Sequence, residues 1–170
     1  FDRAAAHYLS AERLLEGCED RRSVAVAGLN IGNLSIYRGE FAEAILRMEG
    51  VLSDVADLPL ESGNILASLG YAYAASGDHQ NALRCFHLHL EIAVALGDQR
   101  GIAVTLMNLA GSQVESGDLD ASAENSRLAI KAARNCGFSR VEAHSLGNLA
   151  RVELARGQAE AAISTLRSAI

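Results

Sequence analysis

Apolar residues return along this chain at three- and four-residue steps, and no segment alternates with period two for long enough to make a strand. From Phe1 to Cys18 the stripe runs through Ala4, Ala5, Tyr8, Ala11, Leu14 and Leu15. The same spacing continues through eight more segments, roughly 22–38, 41–56, 60–76, 79–96, 99–116, 119–136, 139–156 and 159–170. The pattern therefore predicts nine helices and no sheet. The punctuation is periodic as well: Gly39-Glu40, Gly77-Asp78, Gly117-Asp118 and Gly157-Gln158 follow one another at steps of 38, 40 and 40 residues. Eight residues before each glycine stands Ile31, Leu69, Leu109 or Leu149, and seven before it Gly32, Gly70, Ala110 or Ala150. Nine before it stands Asn30, Ser68, Asn108 or Asn148, and five after it Ala44, Ala82, Ser122 or Ala162. Agreement in several columns at one period is the mark of stacked helix pairs.

The columns have physical causes. A glycine between two helices supplies the left-handed backbone that ends the first cheaply. The acidic residue after it, Glu40, Asp78 or Asp118, is placed to accept the free amide hydrogens that open the second. Glu19-Asp20-Arg21-Arg22 corresponds to Gly97-Asp98-Gln99-Arg100, a turn that caps the next helix. Leu58-Pro59-Leu60 replaces that turn once, since proline opens helices but breaks their interiors. Small residues such as Gly70, Ala82, Ala110 and Ala162 let backbones approach, while Leu69, Leu83, Leu109 and Leu166 are expected to fill the space around them. The expected architecture is all-α, a right-handed superhelical solenoid of antiparallel helix pairs, forming one array over residues 1–170. Its parts are an orphan second helix at 1–18 and repeats at 22–56, 60–96, 99–136 and 139–170. Because Phe1 stands in the register of His79, the sequence is expected to be part of a longer protein.

Composition agrees and adds exclusions. Hydrophobic residues make up 49%, tryptophan is absent and proline occurs once, the profile of an Ala/Leu-rich helical protein. A net charge of −6 with no basic run argues against nucleic-acid contact by this segment. No apolar run approaches a membrane span. Cys18, Cys85 and Cys136 are isolated, which reads as reduced thiols and a cytoplasmic location. Cys136 takes the column of Leu96 and is expected in the core, with Cys85 placed less firmly. His79, His87 and His89 cluster, but residues 87 and 89 point about 200° apart on a helix and cannot share a metal. They are expected at the surface or half-buried. No nucleophile elbow, phosphate loop or dinucleotide fingerprint is present, so neither enzyme activity nor a cofactor is expected.

The motif Leu69-Gly70-x-x-Tyr73-x-x-x-Gly77-Asp78-x-x-x-Ala82-x-x-x-Phe86 resembles the tetratricopeptide repeat family almost column by column. Units of 40 residues, longer than the usual 34, look more like the arrays of kinesin light chains, spindle-orientation adaptors and bacterial regulators. Later units depart from the motif, with Gln113 and Glu153 in the column of Tyr73 and Ser126 in that of Phe86.

By that resemblance the asparagine column of the first helices faces the concave side. Asn30, Asn108 and Asn148 share the column, and Asn33 lies one turn from Asn30. Asparagine is a mediocre helix former, so three returns to one column ask for a reason. Either a carboxamide ladder pairs with the backbone of an extended peptide, or each asparagine bonds a neighbouring helix and fixes the repeat geometry. The expected peptide-binding set is Asn30, Asn33, Asn64, Tyr71, Met107, Asn108, His144, Asn148 and Arg151. The groove is filled out by Val26, Leu29, Tyr37, Ala67, Ser68, Val104 and Gly111. Only Arg151 and His144 could grip a terminal carboxylate, so a clamp of that kind is not expected. The partner expected is a protein or peptide, bound by an interaction scaffold. The alternative is a ligand-sensing segment of a larger bacterial signalling protein or transcription regulator. Self-association is also expected, through an apolar stripe on the final helix formed by Ala162, Ile163, Leu166, Ala169 and Ile170.

Overall fold

A computed structural model describes Ser10 and residues 20–168, so the helix expected at 1–18 lies outside the described residues. Among the described residues there are eight α-helices and no strand. They are α1 (Arg21–Tyr37), α2 (Phe41–Leu52), α3 (Pro59–Ser76), α4 (His79–Leu96), α5 (Gln99–Ser116), α6 (Leu119–Asn135), α7 (Ser139–Ala155) and α8 (Ala159–Arg167). The chain divides within α4 into two compact units, Phe1–Cys85 and Phe86–Ile170.

In the first unit α1 packs on α2 and on α3. Gly28 meets Val51 and, one turn on, Gly32 meets Met48, so the partner runs backward as α1 runs forward: the pair is antiparallel. The approach is close. A Cβ added at Gly32 would stand 2.6 Å from the terminal methyl of Met48, which is itself fully buried. The expected helix 41–56 ends earlier, at Leu52, and a 3₁₀ turn over Ser53–Val55 tucks Val55 into the core before Pro59 opens α3. Shortening of the repeat is thus taken up in this turn.

In the second unit α5 pairs with α6 and α7 with α8, while α5 and α7 lie side by side. Ala103, Ala133 and Val141 form a core cluster edged by Val104, Met107, Ala132 and Phe138. The small-residue column behaves as expected in both units: Ala44, Ala82 and Ser122 are fully buried and Ala162 nearly so. Ser122 fits there because its hydroxyl donates to the Ala110 carbonyl at 2.8 Å. The turn glycines have the left-handed φ their column requires, with Gly77 at 87° and Gly117 at 84°. Gly39 and Gly157 follow suit.

Four expectations need correction. Asp78 and Asp118 accept the amides of Asn81 and Ala121 at 3.1 Å, but Glu40, one methylene longer, makes no capping bond. Leu166 is not in the core: it is 46% exposed, as is much of Ile163, while Ala162 faces inward. Ala169 and Ile170, the rest of that stripe, lie outside the described residues. Of the two described cysteines the buried one is Cys85, whose thiol burial pushes up to about 11, whereas Cys136 is half-buried at the C-cap of α6. Finally His89 is buried rather than superficial, its Nδ1 lying 2.6 Å from Thr105 Oγ1.

Candidate functional site

None of the side chains expected to line the groove is buried; each is half-buried or exposed. That follows from the repeat itself. On α1, α3 and α5 the leucine and small-residue columns turn inward, as Ala150 does on α7 where Leu149 is half-buried, and the asparagine column, about 100° away, is left at the boundary between core and solvent. Asn30 and Asn33 on α1 are half-buried, and Asn64 and Tyr71 on α3 are exposed. On α5, Met107 and Asn108 are half-buried; on α7, Asn148 is half-buried while His144 and Arg151 are exposed.

Two small hollows gather part of this set. In the first unit a hollow of about 100 Å³ is lined by Val26, Leu29 and Asn64, with Ala25, Leu60, Glu61 and Ile65. In the second, a wider hollow of about 520 Å³ is lined by His144, Asn148 and Arg151 together with Ala143, Gly147, Ala150, Leu154 and Leu166. Glu61, Ala143, Gly147 and Leu154 were not singled out by sequence, and Leu60 and Leu166 were named there only for the turn, the core and the terminal stripe. Their signal was present in the register: Ala143 and Gly147 share columns with Ala103 and Met107.

The asparagines differ in how their carboxamides are engaged. Asn148 Nδ2 donates to the Met107 carbonyl at 3.0 Å, and the same group lies 3.6 Å from where a Cβ on Gly111 would be. It ties α7 to α5 across a gap that a larger residue at 111 would narrow. Asn30, Asn33, Asn64 and Asn108 make no side-chain hydrogen bond among the described residues. Their donors and acceptors are therefore turned to solvent at a half-apolar surface, where a bound backbone could use them.

The charged members are less open. Arg151 is ion-paired with Glu115 one helix away, both about half exposed. Arg151, which with His144 could grip a terminal carboxylate, thus already has a carboxylate of its own chain beside it. Tyr73 donates its hydroxyl to Glu49, and burial with that carboxylate raises its ionisation well above the ordinary range. In the corresponding column the Gln113 and Asn125 carboxamides face each other at 2.9 Å. Among the described residues, no group of three or more His, Cys, Asp or Glu side chains is placed to hold a metal ion, and no helix is long and apolar enough to cross a membrane.

Comparison with known proteins agrees with this architecture. Residues 61–135 match the family described as tetratricopeptide repeat. No curated protein matches the chain in sequence. Among solved structures, the apo form of RapI superposes with a TM-score of 0.84 at 18% identity over 97% of this chain. A Rap protein complexed with competence and sporulation factor superposes at 0.83 with 17% identity over 98%. A putative kinesin light chain from Podosopora anserina with nearly identical repeats reaches 0.80 at 16% identity over 99% of this chain and 86% of its own. The chain spans about half the length of the two Rap proteins, 46% and 47%. Residues 61–135 thus match tetratricopeptide repeats, and the chain shares the all-helical repeat fold of these solved structures.

Proposed function

We propose that this chain is a scaffold that binds a protein or peptide segment in extended form along the face of its first helices. Tetratricopeptide folds generally mediate protein–protein interaction and are typically not catalytic. The observation that carries the finer reading is Asn108, a half-buried carboxamide without a protein partner, set beside half-buried Met107 and one turn from Gly111. A polar group that could pair with a peptide backbone next to an apolar side chain is what such a segment needs. Asn148 adds to it: with Nδ2 on the Met107 carbonyl, its Oδ1 and second N–H remain for a ligand. Asn30, Asn33, Asn64 and Tyr71 offer the same chemistry in the first unit. Three or four neutral hydrogen bonds supply only about 2–6 kcal/mol, and ordering a flexible peptide offsets part of that. The expected affinity is therefore micromolar.

The test is a peptide array probed with the native protein and with Asn108→Ala. Binding by the native protein and loss in the folded variant support the reading; equal binding by both removes Asn108 from it. A second reading, a ligand-sensing segment of a larger regulator, is favoured by the Rap complex with its factor. It differs in expecting the helix pairs to shift on binding, which small-angle scattering with and without peptide would register.

A further inference from the structure

The asparagine face meets, at the N-terminal ends of α5 and α7, a cluster that backbone binding does not use. By helical spacing Arg100, Val104, Asn108 and Gly111 share one stripe of α5, and Arg140, His144, Asn148 and Arg151 the equivalent stripe of α7. Between the two arginines stands Phe138, the residue that precedes α7. Its half-buried ring packs against the cluster of Ala103, Ala133 and Val141. The guanidinium carbon of Arg100 lies 5.1 Å from the ring centre and that of Arg140 5.8 Å. Two like charges are thus drawn to one ring.

Neither has a carboxylate partner among the described residues, as Arg84 and Arg127 have none, whereas Arg21, Arg22, Arg134, Arg151 and Arg156 each have one; what sets this pair apart is the shared ring. The repeat register explains the shortage. Arg22, Arg100 and Arg140 occupy one column, and Arg22 reaches Glu61 in the following repeat at 3.1 Å. The position equivalent to Glu61 for Arg100 is Val141. The position before the helix holds Asp20 and Asp98, which accept amide hydrogens of their own helices; at α3 it holds Leu58 and at α7 Phe138, neither of which makes a capping bond. The acid across the repeat therefore has no counterpart for Arg100 and the capping aspartate none at α7, while Asp98 at the start of α5 is engaged with the Gly101 amide at 2.9 Å.

We propose that an acidic side chain, aspartate or glutamate, of a bound protein segment docks between Arg100 and Arg140. Its carboxylate accepts N–H groups from both guanidiniums while its hydrocarbon stem lies on Phe138. The inference rests on the reading that the segment runs along the asparagine face, and it adds the charge the segment must carry. With a net charge of −6 the protein as a whole repels acidic peptides, so the attraction acts at contact range and is weakened by salt.

The experiment measures fluorescence anisotropy of labelled hexaglutamate and hexaglutamine peptides with the wild-type chain, with the double variant Arg100→Gln/Arg140→Gln, and with Asn108→Ala. The wild-type chain should bind hexaglutamate about tenfold more tightly than hexaglutamine at low ionic strength, a preference the double variant abolishes. Added sodium chloride should erase the same preference in the wild type, an arm that needs no variant to fold. A wild type without preference for glutamate, or a preference that survives the double substitution in a folded protein, overturns the proposal. If Asn108→Ala weakens both peptides equally while the arginine substitutions change nothing, the acidic docking site falls and the asparagine face stands. If the arginines govern binding and Asn108→Ala changes neither peptide, the docking site stands and the asparagine face falls.

Discussion

Asn108 and Asn148 share a repeat column yet should respond oppositely to removal. Truncating Asn148 to alanine deletes its bond to the Met107 carbonyl at 3.0 Å, a neutral hydrogen bond worth about 1 kcal/mol net. The Met107 carbonyl is not orphaned, because it sits inside α5, where the helix ladder also uses it. Alanine returns about 0.5 kcal/mol of helix propensity, so the net loss is roughly 0.5 kcal/mol. Asn108 has no bond to lose, so Asn108→Ala gains that propensity and stabilises by about 0.5 kcal/mol. For a chain of this size 1 kcal/mol moves the melting temperature by about 2–4 °C. Thermal melts followed by circular dichroism should therefore place Asn148→Ala one to two degrees below wild type and Asn108→Ala about as far above it. The double substitution should return close to wild type, since the sites make no bond to each other. A variant Asn108→Ala that melts well below wild type would refute the reasoning, because it would mean that this carboxamide is also built into the packing.

Other consequences can be checked with the same melts. Gly117→Val puts a β-branched residue at a φ of 84° and should destabilise by at least about 1–2 kcal/mol; an unchanged melt would mean the turn can rebuild. His89 is buried neutral and its pKa is lowered by burial, with Asp98 opposing weakly. The unfolded chain then binds the extra proton first, so stability is complete above about pH 6.5 and falls as pH drops below it. Urea melts of His89→Leu against wild type should lose that slope; a slope retained would assign it elsewhere. Leu154, Ile163 and Leu166 are about half exposed at one end of the second unit, and an apolar patch there favours association. Light scattering at high concentration should show dimers that Leu154→Gln/Leu166→Gln disperses, and a monomeric wild type would count against it.

The helices were legible because each local signal agreed with the global period. Helices α4 and α5 run over His79–Leu96 and Gln99–Ser116, the spans the spacing predicts. Glycine and aspartate mark their boundaries without ambiguity. Where a boundary was misread, the local chemistry was mixed. The segment around Ser53–Val55 keeps an apolar period but must turn before Pro59, and Val55 serves the core from a 3₁₀ turn as well as it would from a helix. Leu166 was misplaced for another reason: its column is filled in the core by Phe86, and by Ser126 one repeat earlier, so periodicity alone assigns it inward.

The site was legible only as a face, because a column gives direction but not partner. Tyr73, Gln113 and Glu153 hold one position, and each meets it differently: Tyr73 donates to Glu49, Gln113 faces Asn125, and Glu153 has one buried oxygen with no partner among the described residues. Sequence registers that substitution but not what stands opposite. The same logic runs in reverse at Phe138. Where residues agree across repeats they report packing that every pair must solve, as at Ala82 and Ser122. Where one repeat departs from the others without rebuilding the contact elsewhere, packing no longer explains the residue. Phe138, in a column that holds Asp20, Leu58 and Asp98 in the other repeats, has Arg100 and Arg140 drawn to its ring and is such a departure. Two arginines drawn to one ring, neither with a carboxylate partner among the described residues, are therefore a place where an acid from outside fits the chemistry left behind.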